Sequence, residues 1–370
     1  MLPGAIGNLT TWRHDRSNPH RNQPLSEEAA IGRILMFSGL RNLARRAVGA
    51  TGGPPADEAG AGSWLIREQA IMGTSVRVEL WSGDRADGES AIAAVMDQMH
   101  AIDDTMSPFK PESELSRINR EASVRPVAVS RPLYDVIARS IDFSKLSGGA
   151  FDITFASVGH LYDYRQGIMP TDEQLARARA AIGFRNLVLD PGACSVRFAR
   201  PGVRIDLGGF AKGLAVDNGA AILRSRGIRN AIVTAGGDSH IVGDRRGRPW
   251  SIGIRDPRKA DAMVAVLPLT DVALSTSGDY ERYFERDGIR YHHLIDPATG
   301  KSPSSVRSVT VIAPDGLTSE GLTKSVFVMG VEKGMQLIES VDGADAVVVD
   351  SAGHLHYSSG LLDGARTLRQ

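Results

Sequence analysis

The stretch TSEGLTKSVFVMG, residues 318–330, sets Glu320 and Lys324 four residues apart at the head of an apolar run. On a helix that spacing stacks the two side chains on one face. The pair is then either an exposed salt bridge contributing about 0.3–0.5 kcal/mol or the charged part of a polar site. A denser set of reactive types lies just upstream in STSGDYERYFERDGIRYHHLIDPATGKSP, residues 275–303, which combines hydroxyls, a glycine hinge, His292 and His293, and Asp296 before a proline. Its polarity and turn residues are not those of a core strand and point to a polar loop on a rigid scaffold, where sites concentrate. Neighbouring histidines on an extended segment face opposite sides, so at most one of them faces a given pocket. Unperturbed imidazole titrates near pH ~6.5 and suits proton transfer.

A third cluster, RIDLGGFAKGLAVD at residues 204–217, puts glycines at a strand-to-helix turn with Lys212 just beyond them. Backbone amides of such a turn and the helix N-terminus can receive an anion, and the lysine adds a point cation. The spacing is neither the P-loop nor the dinucleotide fingerprint. A phosphate cradle and a tight turn with a solvated lysine are therefore both open. GGAFDIT (148–154) and AGGD (235–238) set Phe151, Asp152 and Asp238 beside glycines, and each alone reads as a structural turn.

The elements that must position these groups follow from periodicity. TSVRVELW, residues 74–81, alternates as a half-buried strand with Val76, Val78 and Leu80 on one face. Ile92, Val95, Met96, Met99 and Ile102 recur at helical spacing, which predicts a helix ending near Ser107 and Pro108. VRIDL (203–207) predicts a strand entering the glycine turn, and residues 211–226 a helix after it. NAIVTAGGD, WSIGIRDP and SVTVIAP add short strands. Strands and helices mix without strict βαβ alternation, so the expected fold class is α+β.

Composition narrows the classes. The 370 residues are 42% hydrophobic, enough for a sizeable core. Lysine plus arginine equals aspartate plus glutamate at 43 each, so no global field recruits nucleic acid or an anionic membrane. No apolar run approaches the roughly 18 residues of a transmembrane segment. Cys194, the only cysteine, excludes an internal disulfide and a cysteine-rich metal site. Residues 1–63 read as a basic extension and linker, with a candidate short helix capped by Ser26 and a glycine- and proline-rich stretch at 51–62; residues 64–370 read as the folded domain. Trp12, Arg13, His14, Asp15 and Arg16 interrupt the apolar segment that a signal peptide would need, and no cysteine near the start offers lipid attachment.

Taken in order, IMGTSVRVEL, MSPFKPESELSRIN, GGAFDIT, RIDLGGFAKGLAVD, AGGD, STSGDYERYF and HHLIDPATGKSP resemble the FAD:protein FMN transferase family, also called ApbE, over roughly residues 70–330. The resemblance implies an α+β fold of mixed sheets with flanking helices. It also implies binding of FAD and movement of its FMN half onto a threonine or serine of a target flavoprotein, commonly a membrane-associated redox subunit, with release of AMP. By similarity, Met72, Phe109, Ala150, Phe151 and Asp152 line the FAD site. Asp206 and Lys212 hold the ligand from the glycine turn, the backbone at Leu294 contacts it, and His293 helps deprotonate the incoming hydroxyl.

The same resemblance implies a magnesium ion held by an aspartate, a threonine four residues later, and a carbonyl of the glycine turn, here Gly209. This chain reads SEGLTKS at that segment, with Glu320 in place of the aspartate and Lys324 in place of the threonine. Glu320 keeps the ion only by accommodating an extra methylene at a preferred distance of ~2.1 Å. Alternatively the Lys324 ammonium takes over the ion's role, with Glu320 orienting it, and transfer loses its magnesium dependence. Two other activities stay open: binding of FAD without transfer, and hydrolysis of FAD to FMN and AMP. Family members usually act outside the cytoplasmic membrane, whereas no convincing signal peptide is read here, so the compartment is left open.

Overall fold

The structure, a computed structural model, describes residues 62–362. The candidate helix at Ser26 and the linker before Gly62 lie outside the described residues. The chain opens with a hairpin, β1 (Ser63–Ile71) and β2 (Thr74–Ser82), whose turn places Met72 and Gly73 both at positive φ. Val76, Val78 and Leu80 are buried on one face of β2, as the alternation predicts. Helix α1 (Arg85–Met106) follows and is capped by Ser107, where the sequence places its end. Its buried stripe includes Ile92, Val95, Met96, Met99 and Ile102.

An excursion then adds α2 (Glu114–Glu121), β3 (Val127–Ala128), α3 (Arg131–Leu146), α4 (Asp172–Arg179), β4 (Leu187–Asp190) and β5 (Ser195–Phe198), of which β3, β5 and β4 form a small sheet. The chain returns through α5 (Ala211–Ser225), β6 (Ala231–Ala235) and β7 (Asp238–Val242). The hairpin β8 (Trp250–Arg255) and β9 (Met263–Leu269) leads into β10 (Ala273–Gly278), and a second hairpin, β11 (Tyr283–Arg286) and β12 (Ile289–His292), precedes β13 (Val306–Ala313). Helix α6 (Gly316–Glu339), interrupted at Gly330, then β14 (Asp345–Asp350) and β15 (Leu355–Tyr357) follow.

An eight-stranded sheet in the order β1-β2-β6-β7-β10-β13-β14-β15 is the platform. All its pairings are antiparallel. Because successive side chains alternate across a sheet, Val78, Val233, Val311 and Val348 join the core beneath α1, α5 and α6, while Leu274, Ile312 and Val347 pack on the other face against Trp250, Ile254 and Leu267 of the β8–β9 hairpin. The fold is α+β. Among the described residues, no helix is long and apolar enough to cross a membrane.

Two sequence expectations are corrected here. Residues 203–207 join no sheet. Side chains satisfy their backbone instead: Asn119 accepts the Ile205 N–H at 2.8 Å and donates to the Ile205 carbonyl at 2.9 Å, while Ser157 Oγ accepts the Arg204 N–H at 3.0 Å. The second correction concerns residues 275–278, the start of the segment that the polar composition placed in a loop. They belong to β10, an inner strand between β7 and β13. Its serines are tolerated inside because α6 meets them with hydroxyls: Ser275 Oγ lies 2.8 Å from Ser319 Oγ, and Ser277 Oγ 3.1 Å from Thr323 Oγ1.

Helices α5 and α6 cross at two glycines. A Cβ on Gly213 would stand 2.4 Å from the Gly316 carbonyl oxygen, and one on Gly316 would stand 2.6 Å from the Gly213 oxygen. Backbone atoms cannot swing aside as a flexible side chain can. Gly213→Ala is therefore expected to cost about 1–3 kcal/mol, as overpacking does. A calorimetric melt should show the lowered Tm, and an unchanged Tm would refute the close crossing.

Candidate functional site

That crossing delivers α6 charges to the start of α5. Glu320 is fully buried. Its Oε2 accepts the Gly213 N–H at 2.8 Å, and its Oε1 accepts from the Lys212 ammonium. Lys212 Nζ also contacts Asp238 Oδ2 at 2.8 Å and the Gly208 carbonyl at 3.2 Å. Asp238 begins β7 and is the register partner of Ser275 on β10, so sheet alternation points both toward the helices. Lys324 lies 3.6 Å from Glu320 Oε1 and donates to Ser277 Oγ at 2.8 Å. Its side chain rests against Gly209, where a Cβ would stand 3.3 Å from Lys324 Cε.

The exposed salt bridge that the four-residue spacing allowed is thus excluded. Glu320 also serves Lys212 more closely than it serves Lys324, which Ser277 orients. The phosphate-cradle reading of the glycine turn is changed as well. The anion at the head of α5 is the protein's own Glu320 carboxylate, and Lys212 is held between two carboxylates instead of standing free for a ligand.

Electrostatics follow from this packing. Burial raises the Glu320 carboxyl and Asp238's charge acts the same way, against the pull of Lys212 and Lys324. Each of these donors needs an acceptor, so the geometry is that of a carboxylate. Burial opposes the charge on Lys212, but Asp238 and Glu320 outweigh it and hold the ammonium above its ordinary range. Lys324 is lowered, chiefly by burial, with Glu320 resisting and Lys212 repelling. It is the less heavily paired of the two ammonium groups.

His293 enters from the strand that ends at His292. The two rings have different surroundings, as their adjacency predicts. His292 packs edge-on against Phe327 at 5.4 Å between ring centroids, with Nε2 2.8 Å from the Pro303 carbonyl oxygen. His293 donates its backbone N–H to the Arg282 carbonyl at 3.0 Å, while its Nδ1 is buried with no partner among the described residues. Burial pushes the His293 imidazole down to about 3, with the Lys324 charge second and Arg282 and Lys212 adding to it. The ring is therefore neutral at ordinary pH. Asp206 sits in the glycine turn with Oδ1 accepting the Gly208 N–H at 2.6 Å; burial raises its carboxyl, while the Gly208 N–H and the charges of Arg282 and Lys212 lower it.

The remaining sequence candidates are distributed differently. Leu294 is buried in the main core beside His293. Asp296 holds its own turn, accepting the Ala298 N–H at 2.8 Å and the Thr299 hydroxyl at 3.1 Å. Phe151 packs in an aromatic group with Phe143 and Phe210, which ties GGAFDIT to the glycine turn. Asp152 Oδ1 accepts from the Thr154 N–H and hydroxyl and Oδ2 from the Phe184 N–H, so its carboxylate is committed to the fold. Ala150 is half-buried just before them. Met72 lies at the β1–β2 turn, packed against the core, and Phe109 is 85% exposed after α1.

Sequence reasoning missed three members of the site. Asp238 was read as a turn residue, although its AGGD motif was noticed. Ser277 was hidden in a segment taken for a loop. Arg282, inside the same polar segment, had no signal marking it out from the other arginines nearby.

A magnesium ion does not fit these donors. The place between Glu320 and Gly209 that the resemblance assigns to it holds the Lys324 side chain, and the other face of Glu320 is taken by Lys212 and the Gly213 N–H. At an effective dielectric near ~20, unit charges ~4 Å apart interact by roughly 4 kcal/mol, and repulsion of a divalent ion by an ammonium is about double. Among the described residues, no group of three or more His, Cys, Asp or Glu is placed to hold a metal.

Comparison with known proteins agrees with this architecture. A sequence profile described as the ApbE family matches residues 72–348. An FAD:protein FMN transferase of Treponema pallidum (strain Nichols) is 32% identical over 321 residues, covering 82% of this chain and 89% of the relative. One of Vibrio cholerae serotype O1 is 36% identical over 277 residues, 73% of this chain and 82% of the relative. Among solved structures, the ApbE protein of Thermotoga maritima aligns with a TM-score of 0.76 at 33% identity, covering 82% of this chain and 100% of its own. The flavin transferase ApbE of Vibrio cholerae aligns at 0.73 and 31% identity, with 82% and 99% covered. With most of the described chain matched in both sequence and fold, this protein belongs to the ApbE family.

Proposed function

We propose that this chain is an FAD:protein FMN transferase that moves the FMN half of FAD onto a threonine or serine hydroxyl of a target flavoprotein and releases AMP. The observation that carries the reading is His293, a neutral, half-buried imidazole whose Nδ1 is buried and has no partner among the described residues, set beside the charge of Lys324 in a chain of this family. In the transfer, the hydroxyl oxygen forms a bond to the FMN phosphorus and its proton passes to His293. The bond from that phosphorus to the bridging oxygen breaks, and the electron pair leaves on the phosphate of AMP. Such a reaction needs positioning and charge neutralisation more than covalent help.

Lys324 supplies the neutralisation in this reading. Its ammonium, aimed by Ser277 and incompletely balanced by Glu320, takes a pyrophosphate oxygen at the place where the family resemblance implies a divalent ion. Glu320, Lys212 and Asp238 act as the brace that fixes α5 against α6 and the sheet. Transfer then proceeds without magnesium. The acceptor is proposed to be a membrane-associated redox subunit.

The test is incubation of the protein with FAD and an acceptor peptide carrying the target threonine, in EDTA, read by mass spectrometry. The peptide should gain FMN with one AMP released per modification. Free FMN and AMP with unmodified peptide would identify a hydrolase, and tightly held FAD with no product would identify a binding protein. Either result would end the transferase reading.

A further inference from the structure

Arg282 is an exposed arginine on the segment linking β10 to β11. Its position is defined from two sides. Its carbonyl accepts the His293 N–H at 3.0 Å, which ties it to the proposed proton acceptor. Its guanidinium reaches the β1–β2 turn, where a Cβ on Gly73 would stand 3.9 Å from Nη2, one residue from Met72. Its charge is felt at both Asp206 and His293. The residue is thus tied to the histidine strand by its backbone and to the first hairpin by its side chain, with its charge felt at the glycine turn.

Its pairing sets it apart from the other cations of the site. Lys212 is held by two carboxylates and Lys324 by Ser277 and Glu320. The neighbouring arginines are also engaged: Arg290 pairs with Glu285 and Asp279, Arg258 pairs with Asp279, and Arg286 donates to the Gly167 carbonyl. Among the described residues, none accepts a hydrogen bond from the Arg282 guanidinium or forms an ion pair with it. A long, exposed side chain loses considerable rotamer entropy when ordered, and here the fold offers it no fixed acceptor in return. Its planar fork of donors suits a phosphate oxygen pair, which can be gripped through two N–H groups at once.

We infer that Arg282 is a further substrate-contacting residue of this site, gripping the pyrophosphate of the dinucleotide opposite Lys324. The inference rests on the transferase reading for its role in catalysis, but phosphate recognition itself does not. The grip takes up the charge that appears on the departing phosphate when the bridging bond breaks. It also discriminates FAD from a flavin that lacks phosphate.

The test uses the full chain with Arg282→Ala and Arg282→Lys. Affinities for FAD and for riboflavin are measured by flavin fluorescence, and FMN transfer to the acceptor peptide is followed with and without added guanidinium chloride at constant ionic strength. Loss of one charge-assisted contact predicts that Arg282→Ala weakens FAD by roughly 10- to 100-fold while riboflavin is unaffected. Arg282→Lys should fall between the two, and guanidinium should restore transfer in the alanine variant but not in an equally impaired Gly213→Ala protein. Unchanged FAD affinity, or equal weakening of FAD and riboflavin, would overturn the assignment. If the parent protein binds FAD but transfers nothing, the transferase reading fails while the FAD-to-riboflavin comparison still decides whether Arg282 grips phosphate.

Discussion

His293→Ala is expected to lower the rate of FMN transfer by roughly 100- to 10,000-fold, the range typical of a lost general base, while FAD remains bound. The ring lies beside the charge-bearing groups without pairing to any carboxylate, and its Nδ1 has no partner among the described residues. Removing it takes away a proton acceptor without unpairing an internal ion. Single-turnover transfer and equilibrium FAD binding, measured on the same variant, separate the two roles. A variant that transfers at the parent rate would remove His293 from the chemistry.

The pH dependence sharpens this expectation. In the free protein, burial first and the Lys324 charge second hold the imidazole down to about 3. The neutral ring is the active form, and it is already the dominant form throughout the range above that value. As the pH falls through the ordinary histidine range, kcat/KM should therefore stay level. Bound pyrophosphate brings negative charge toward the ring and favours its protonated form, so the acid limb of kcat should lie at higher pH than the acid limb of kcat/KM. A kcat/KM profile that falls with an apparent value near ~6.5 would show an unperturbed histidine and count against this placement.

Lys324→Met should be nearly as damaging, with transfer reduced by roughly 100- to 1,000-fold, as when one preorganised group that stabilises transition-state charge is lost. Methionine keeps much of the stem's packing and removes only the charged end. Glu320 retains Lys212 and the Gly213 N–H, so the α5–α6 brace survives. Magnesium should not rescue this variant, because the methionine offers no oxygen ligand. Loss of the Lys324 charge also removes one of the influences depressing His293, so the acid limb of kcat/KM should move upward. A lysine whose charge did not reach His293 would not produce that shift.

The complementary change is the double variant Glu320→Asp with Lys324→Thr. It shortens the acid and replaces the cation by a hydroxyl, which leaves room and oxygen donors for an ion. Transfer should then be faster in magnesium than in EDTA, whereas the parent should be equally active in both. A parent that works only with magnesium, or a double variant indifferent to it, would refute replacement of the ion by the lysine.

Much of this protein could be read along the chain. Val76, Val78 and Leu80 on β2 and the Ile92-to-Ile102 stripe of α1 were legible because burial imposes periods of two and of about 3.6 residues on local sequence. The ordered motifs identified the family, and with it the α+β class, because each short segment keeps its composition wherever the fold carries it. They also marked Glu320 and Lys324 as the place where this chain differs. Local pattern failed where partners came from far away. Residues 203–207 look like a strand, but Asn119 and Ser157 replace a neighbouring strand. The serines of β10 look like a loop until α6 provides hydroxyls opposite them.

The same limit governs the site. Sequence alone established that an acid and a base lie one helical turn apart. Only the tertiary structure decided that Glu320 is buried, that its closer cation is Lys212 from another helix, and that Asp238 completes the brace from the sheet. Ion pairing depends on distances of a few ångströms between groups that here lie more than a hundred positions apart in the chain, as Lys212 and Glu320 do with a separation of 108. A helix crossing at Gly213 and Gly316 sets those distances, and no local periodicity records it.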